Sequence, residues 1–218
     1  MGDKIERLFR SFSKAYGVPS RERREPVDEL VLTILSQNTS DTNSLRAFAD
    51  LKNAFPTWDA VADAHARQIE EAIHRAGLSR IKSARIRNIL RLIRERESSI
   101  SLDFLGDMTD DEAFEYLVSF NGVGAKTAAC VLLFSFGRPI MPVDTHVYRV
   151  ASRLGLIGEE LSPAEAQREL SDATPDEMIL PFHLQMVAHG RALCRPTRPK
   201  CDRCMVSDEC LFYDEGNW

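Results

Sequence analysis

Phe120-Asn121-Gly122-Val123-Gly124-Ala125-Lys126-Thr127 decides the fold. Gly122 and Gly124 allow the backbone conformations closed to other residues and let it approach an outside group, and the apolar run Ala128–Phe134 follows at once. The segment therefore reads as a tight hairpin that opens a helix and carries a lysine in that helix's first turn. Ahead of it, Thr109 or Asp110 can cap a helix over 111–120, so the hairpin joins two helices.

Apolar residues recur at helical spacing along the rest of the chain, and sustained period-two alternation is absent. Ile5, Leu8, Phe9 and Phe12 mark a first helix; Val27, Leu30, Val31, Ile34 and Leu35 mark a second, opened by Pro26. Asp41 is the expected cap of a third, which Pro56 stops. Short helices are expected near 58–64 and 67–76, then a longer one over 81–96 after the break at Gly77. Gly137 and Pro139 end the helix that the hairpin opens. Asp144 is placed to cap a helix to about Leu156, Ser162-Pro163 opens another, and Pro181 begins a last helix that delivers Cys194. The expected class is all-α.

Four of the five cysteines fall in the last quarter: Cys194, Cys201, Cys204 and Cys210, separated by six, two and five residues. Thiolates gathered on one loop are ligands for soft metals or iron–sulfur clusters. Two symmetric Cys-x-x-Cys knuckles, the form of a zinc ribbon, are missing, and spacing alone leaves the metal open. Cys130 lies within an apolar run and reads as a buried, inert side chain.

A chain of 218 residues can bury one large core or two modest ones. The start, Met1-Gly2-Asp3-Lys4, is charged where a secretory signal needs an apolar stretch, and Ala128–Phe134 is too short to span a bilayer, so a cytoplasmic protein is expected, nucleoid-associated in a prokaryote. The net charge of −5 argues against a nucleic-acid partner, but its distribution does not. Residues 1–26 hold seven Lys/Arg against four Asp/Glu, and the cysteine loop adds Arg195, Arg198, Lys200 and Arg203 against Asp202. Residues 159–177 carry seven carboxylates and one Arg168. A basic face opposed by an acidic one is compatible with DNA on one side and equally with an ordinary solvated surface.

Backbone N–H groups at a helix start form an anion nest, with a phosphate as natural guest; the plainer alternative is an interhelical turn that needs glycine for sterics. Lys126 lies at the unfavourable end of the helix dipole, and a free amine there is a nucleophile for a sugar carbon. Asp144 would be its partner carboxylate. The competing readings are a point charge for phosphate at Lys126 and a simple helix cap at Asp144.

Gly122-Val123-Gly124-Ala125-Lys126-Thr127-Ala128, Val143-Asp144-Thr145-His146-Val147-Tyr148-Arg149-Val150 and His189-Gly190-Arg191, followed by the four cysteines, closely resemble the endonuclease III family of helix–hairpin–helix DNA glycosylases. The likeness runs from about residue 27 to Cys210, in motif order as well as content. It implies a two-lobed all-α fold, with a six-helix barrel over 27–137 containing the hairpin and a terminal domain of 1–26 plus 138–218 carrying the cluster. It implies Lys126 as nucleophile, Asp144 as its partner, and Cys194, Cys201, Cys204 and Cys210 as ligands of a [4Fe–4S] cluster that shapes the loop offering Arg195, Arg198 and Lys200 to DNA. Hairpin contacts from Gly122, Val123, Gly124 and Thr127 belong with it. Base chemistry in a duplex requires extrusion of the nucleotide, and the resemblance assigns the filling of the gap to Asn38, beside Gln37, and the opposite-strand wedge to Leu78.

The implied activity is a bifunctional glycosylase and β-lyase acting, as a monomer, on oxidised pyrimidines and abasic sites in double-stranded DNA. The chain departs from the family's pattern: Asn121 stands where proline is usual, Ala125 where a basic residue is common, which removes one candidate phosphate contact, and Ser79-Arg80-Ile81 lacks the aromatic often found after the wedge, which bears on substrate preference. A mismatch glycosylase for adenine or thymine is the near alternative. Adenine-removing members use an early-helix glutamate, whereas no carboxylate occurs between Glu29 and Asp41; thymine-mismatch members often lack the lysine. A non-catalytic iron–sulfur DNA-binding module is the alternative of another class.

Overall fold

The computed structural model describes residues 2–158 and 160–216, and all its regular elements are helical. In chain order the α-helices are α1 (Gly2–Tyr16), α2 (Pro26–Ser36), α3 (Asp41–Ala54), α4 (Trp58–Asp63), α5 (Ala66–Ala72), α6 (Ser79–Glu97), α7 (Asp110–Val118), α8 (Ala125–Val131), α9 (Thr145–Arg153), α10 (Pro163–Ala173), α11 (Asp176–Ala192) and α12 (Leu211–Asp214). Among the described residues no helix is long and apolar enough to cross a membrane.

The chain divides into two compact units, Arg23–Val131 and Met1–Glu22 with Leu132–Trp218. In the central unit α2 is the buried element: every residue from Pro26 to Leu35 except Asp28 is buried, and α2 packs on α3, α6 and α8. A helix apolar on most of its circumference must be surrounded. Its start is fixed by Pro26 in the first turn and by the Glu25 carboxylate, which accepts from the N–H groups of Val27 and Asp28. In the terminal unit α11 packs on α1 and α9, with Ile5, Leu8 and Phe12 of α1 and Ile179, Phe182 and Met186 of α11 buried.

Four local expectations are corrected. Ser40, not Asp41, caps α3: its hydroxyl accepts from the N–H of Asn43, and Asp41 sits in the first turn. The helix expected over 67–76 stops at Ala72 and tightens into a 3₁₀ turn, His74–Ala76, ahead of Gly77. α6 begins at Ser79, because the left-handed Leu78 (φ 48°) turns the chain directly into it. Pro181 lies inside α11, which starts at Asp176 behind Pro175; Pro181 is itself buried, as are Phe182 and Met186. The helix after the hairpin changes pitch at Leu132, where a π turn, Leu132–Phe136, carries it to Gly137.

Candidate functional site

The hairpin hangs between α7 and α8. Val123 N–H donates to the Phe120 carbonyl at 3.0 Å, closing the turn, and Gly122 takes φ +85°. A Cβ at Gly122 would run into the Arg85 side chain, which would have to move, and the left-handed φ itself favours glycine there. α8 starts at Ala125, and its first turn closes through the Gly124 carbonyl, which accepts from Thr127 and Ala128. Val123 and Thr127 are buried and Gly124 is exposed, so the turn presents backbone to solvent. Lys126 is the second residue of α8 and half-buried.

The Gln37 amide ties this hairpin to the end of α2. Its Nε2 donates to the Gly122 carbonyl and to Thr127 Oγ1, both at 3.4 Å, while its Oε1 accepts from Arg85 Nη1 at 2.6 Å. Gln37 thus braces the hairpin from within the unit. The next residue, Asn38, is exposed and left-handed at φ 53°, a conformation asparagine tolerates better than most residues. Leu78, also left-handed, is 55% exposed.

The terminal unit carries Asp144 and the cysteines. Asp144 caps α9 in extended backbone, and its Oδ1 accepts from the N–H groups of His146 and Val147, each at 2.8 Å. Two arginines one turn apart on α9 then hold the cysteine loop. Arg149 donates to the carbonyls of Cys194 (2.8 Å) and Gly190 (3.0 Å); Arg153 donates to the Arg195 carbonyl (2.8 Å) and the Cys194 sulfur (3.4 Å). The close approach of α11 to α9 requires Gly190, where a Cβ would meet the His146 Cβ at 2.9 Å.

Cys194, Cys201, Cys204 and Cys210 line one pocket with Val150, Leu154 and Phe212, and none is in a disulfide. No three of the described His, Cys, Asp or Glu side chains form a group for a single metal ion. Burial, only partly offset by the Val206 N–H and reinforced by the neighbouring thiols, pushes Cys204 up to about 11. Burial and the adjacent thiols also raise Cys201 and Cys210. The three raised thiols ionise together here only with a cationic group among them. Buried His189 stands behind the pocket, pushed down to about 4 by burial and so neutral at pH 7. Its Nδ1 is 3.0 Å from the Tyr16 hydroxyl and its Nε2 3.7 Å from Cys204 Sγ; the tautomer with hydrogen on Nε2 lets Tyr16 donate to Nδ1 and directs an N–H at sulfur. Beside the loop an open depression is lined by His146, Arg191, Arg195 and Arg198, and Lys200 borders the thiol pocket instead.

Sequence reasoning gave no role to Arg85, Arg149, Arg153, Tyr16 or the buried Lys82. Arg149 stood within the Val143–Val150 motif, and Lys82 left a trace as a lysine in register with the apolar stripe of Ile86, Ile89 and Ile93.

Residues 31–176, about two thirds of the chain, match the HhH-GPD superfamily of base excision DNA repair proteins. The chain belongs to this superfamily. Within it, the chain is 33% identical to endonuclease III of Thermotoga maritima over 209 residues, 96% of this chain and 93% of that protein. It is likewise 33% identical to endonuclease III of Sulfolobus acidocaldarius over 186 residues, 84% of this chain and 81% of the relative. A solved non-covalent complex of endonuclease III with DNA is similar throughout, with a TM-score of 0.83 at 26% identity, covering 100% of this chain and 98% of that one. The all-α fold is that of the HhH-GPD glycosylases.

Proposed function

We propose that this protein is a base-excision repair enzyme, a bifunctional DNA glycosylase and AP lyase that removes oxidised pyrimidines from duplex DNA. The observation that carries the reading is likeness to endonuclease III over nearly the full length of both chains, joined to a lysine in the first turn behind a glycine hairpin. Lys126 Nζ attacks C1′ of the extruded nucleotide and the glycosidic bond breaks, its electron pair leaving with the base, which takes up a proton. Asp144 steadies the positive charge that develops on the sugar. Opening of the sugar ring gives an imine between Nζ and C1′. Loss of the C2′ proton then expels the 3′ phosphate, cutting the strand, and hydrolysis frees the lysine.

A panel of duplexes tests the substrate. Thymine glycol and 5-hydroxycytosine are expected to be released with a nick, while uracil opposite guanine and adenine opposite 8-oxoguanine remain intact. Nicking or base release confined to the last two would make the protein a mismatch glycosylase, and salt-sensitive binding without reaction on any duplex would make it a binding module.

Cys194, Cys201, Cys204 and Cys210 are the proposed ligands of a [4Fe–4S] cluster, and they fit it by donor chemistry: thiols outside any disulfide around an apolar pocket, with an N–H of Arg153 and the Nε2 of His189 facing two of the sulfurs. When bound, the cluster supplies the positive charge that lets the four thiols ionise. Arg195, Arg198 and Lys200 on that loop are the proposed contacts to DNA phosphates. Purified protein is expected to be brown and to contain iron and acid-labile sulfide, and Cys204→Ser protein to lose colour and iron; zinc in place of both would refute the assignment.

A further inference from the structure

The central unit buries one ammonium group, Lys82, which is 2% exposed. Its Nζ lies 2.7 Å from the carbonyl of Leu35, 2.8 Å from Thr39 Oγ1 and 2.8 Å from the carbonyl of Ala76. These acceptors come from separate segments. Leu35 belongs to the last turn of α2, where carbonyls lack intrahelical partners. Thr39 closes the turn that carries Asn38, and Ala76 ends the 3₁₀ turn that leads into Gly77 and Leu78. The Thr39 hydroxyl also donates to the Ala76 carbonyl, so two of the three acceptors are bonded to each other beside the ammonium.

Both turns hold a residue in the left-handed region, Asn38 at φ 53° and Leu78 at φ 48°. A leucine there is strained, and the strain persists only where the surroundings over-determine it. Lys82 does so twice, because its backbone N–H donates to the Leu78 carbonyl at 3.0 Å while its side chain holds Ala76. One buried cation therefore bridges the two turns that carry the exposed Asn38 and Leu78 side chains. Burial, with repulsion from Arg85 added, lowers the pKa of Lys82 to about 8, and the three acceptors hold the ammonium in place against that cost.

We propose that Lys82 is a positioning residue that couples the Asn38 turn to the Leu78 turn, so that the two side chains meet a duplex as one rigid head. The proposal rests on the assignment of Asn38 and Leu78 as the residues that enter the base stack. It separates opening of the duplex, which needs the coupled head, from lyase chemistry on a nucleotide that is already exposed, which does not.

The test compares Lys82→Met, Thr39→Val, Asn38→Ala and Leu78→Ala in the intact protein. The measurements are single-turnover excision of thymine glycol from duplex DNA, fluorescence of a 2-aminopurine placed opposite the lesion, and cleavage of an abasic single strand. Lys82→Met is expected to slow duplex excision tenfold or more and to suppress the fluorescence rise, with single-strand cleavage within twofold of the parent. Thr39→Val, which removes one acceptor and keeps the side chain's shape, is expected to act in the same direction by about threefold, and it carries the test should Lys82→Met not fold. If Asn38→Ala and Leu78→Ala lose excision while both coupling variants keep the parent rate, or if the coupling variants lose duplex and single-strand activity equally, the proposal is overturned. If Asn38→Ala and Leu78→Ala leave the fluorescence and the excision rate unchanged, the assignment of the two turns fails instead.

Discussion

Lys126→Ala protein, mixed with abasic duplex and borohydride, is expected to give no covalent adduct, whereas the parent chain gives a stable one. The imine carbon that borohydride reduces is bonded to the lysine nitrogen, so removing Nζ removes the species that is trapped. Strand cutting should fall by a factor on the order of 10³ or more, as for loss of a nucleophile whose task no neighbour takes over. The competing role for Lys126, a point charge beside a phosphate, predicts otherwise: affinity falls, the salt dependence of binding flattens by roughly one ion, and adduct still forms at saturating protein. The substitution is mild for the fold, since Lys126 is half-buried in the first turn of α8 and alanine is the better helix former. An adduct of undiminished yield in the variant would move the nucleophile elsewhere.

How far the sequence could be read depends on the range over which each feature is determined. Helix starts with a local signal were legible: Pro26 at the head of α2, Ser162-Pro163 at the head of α10, Asp144 at the head of α9, and the pair Thr109 and Asp110 before α7, of which Thr109 is the cap. Where two capping residues adjoin, as Ser40 and Asp41 do, the local signal is degenerate and packing selects one. Pro181 misled because proline inside a helix is disfavoured on average, yet in α11 it is buried with Phe182 and Met186. The hairpin and the cysteine loop were legible as motifs, whereas their supports were not. Arg85 over Gly122, Gln37 between α2 and the hairpin, and Arg149 and Arg153 under the cysteine loop make bonds that span 41 to 90 positions, and nothing in a single sequence marks such pairs. Lys82 showed itself only as a charge out of place on an apolar stripe, and its meaning depends on three acceptors 6, 43 and 47 positions away.

Asp144→Asn is expected to separate the two roles that fall on this side chain. As a cap, Asp144 uses one oxygen for two backbone N–H groups, and asparagine offers a carbonyl oxygen of the same reach and nearly equal capping strength. The fold should therefore survive with a loss of about 0.3–1 kcal/mol, the worth of a carboxylate at the positive end of a helix dipole, visible as a small drop in denaturation midpoint. As the group that steadies charge on the sugar, an amide cannot substitute for a carboxylate, and release of thymine glycol should fall by a factor of about 10²–10³. On DNA that is already abasic no base must leave, so borohydride capture through Lys126 should persist. Asp144→Ala removes cap and charge together and should lose both stability and base release. Base release by the asparagine variant at the parent rate would reduce Asp144 to a helix cap and leave the charge on the sugar to another group. Loss of release with the midpoint held, and with capture on abasic DNA intact, locates the effect in the departure of the base, because the same protein still folds and its amine still reaches C1′.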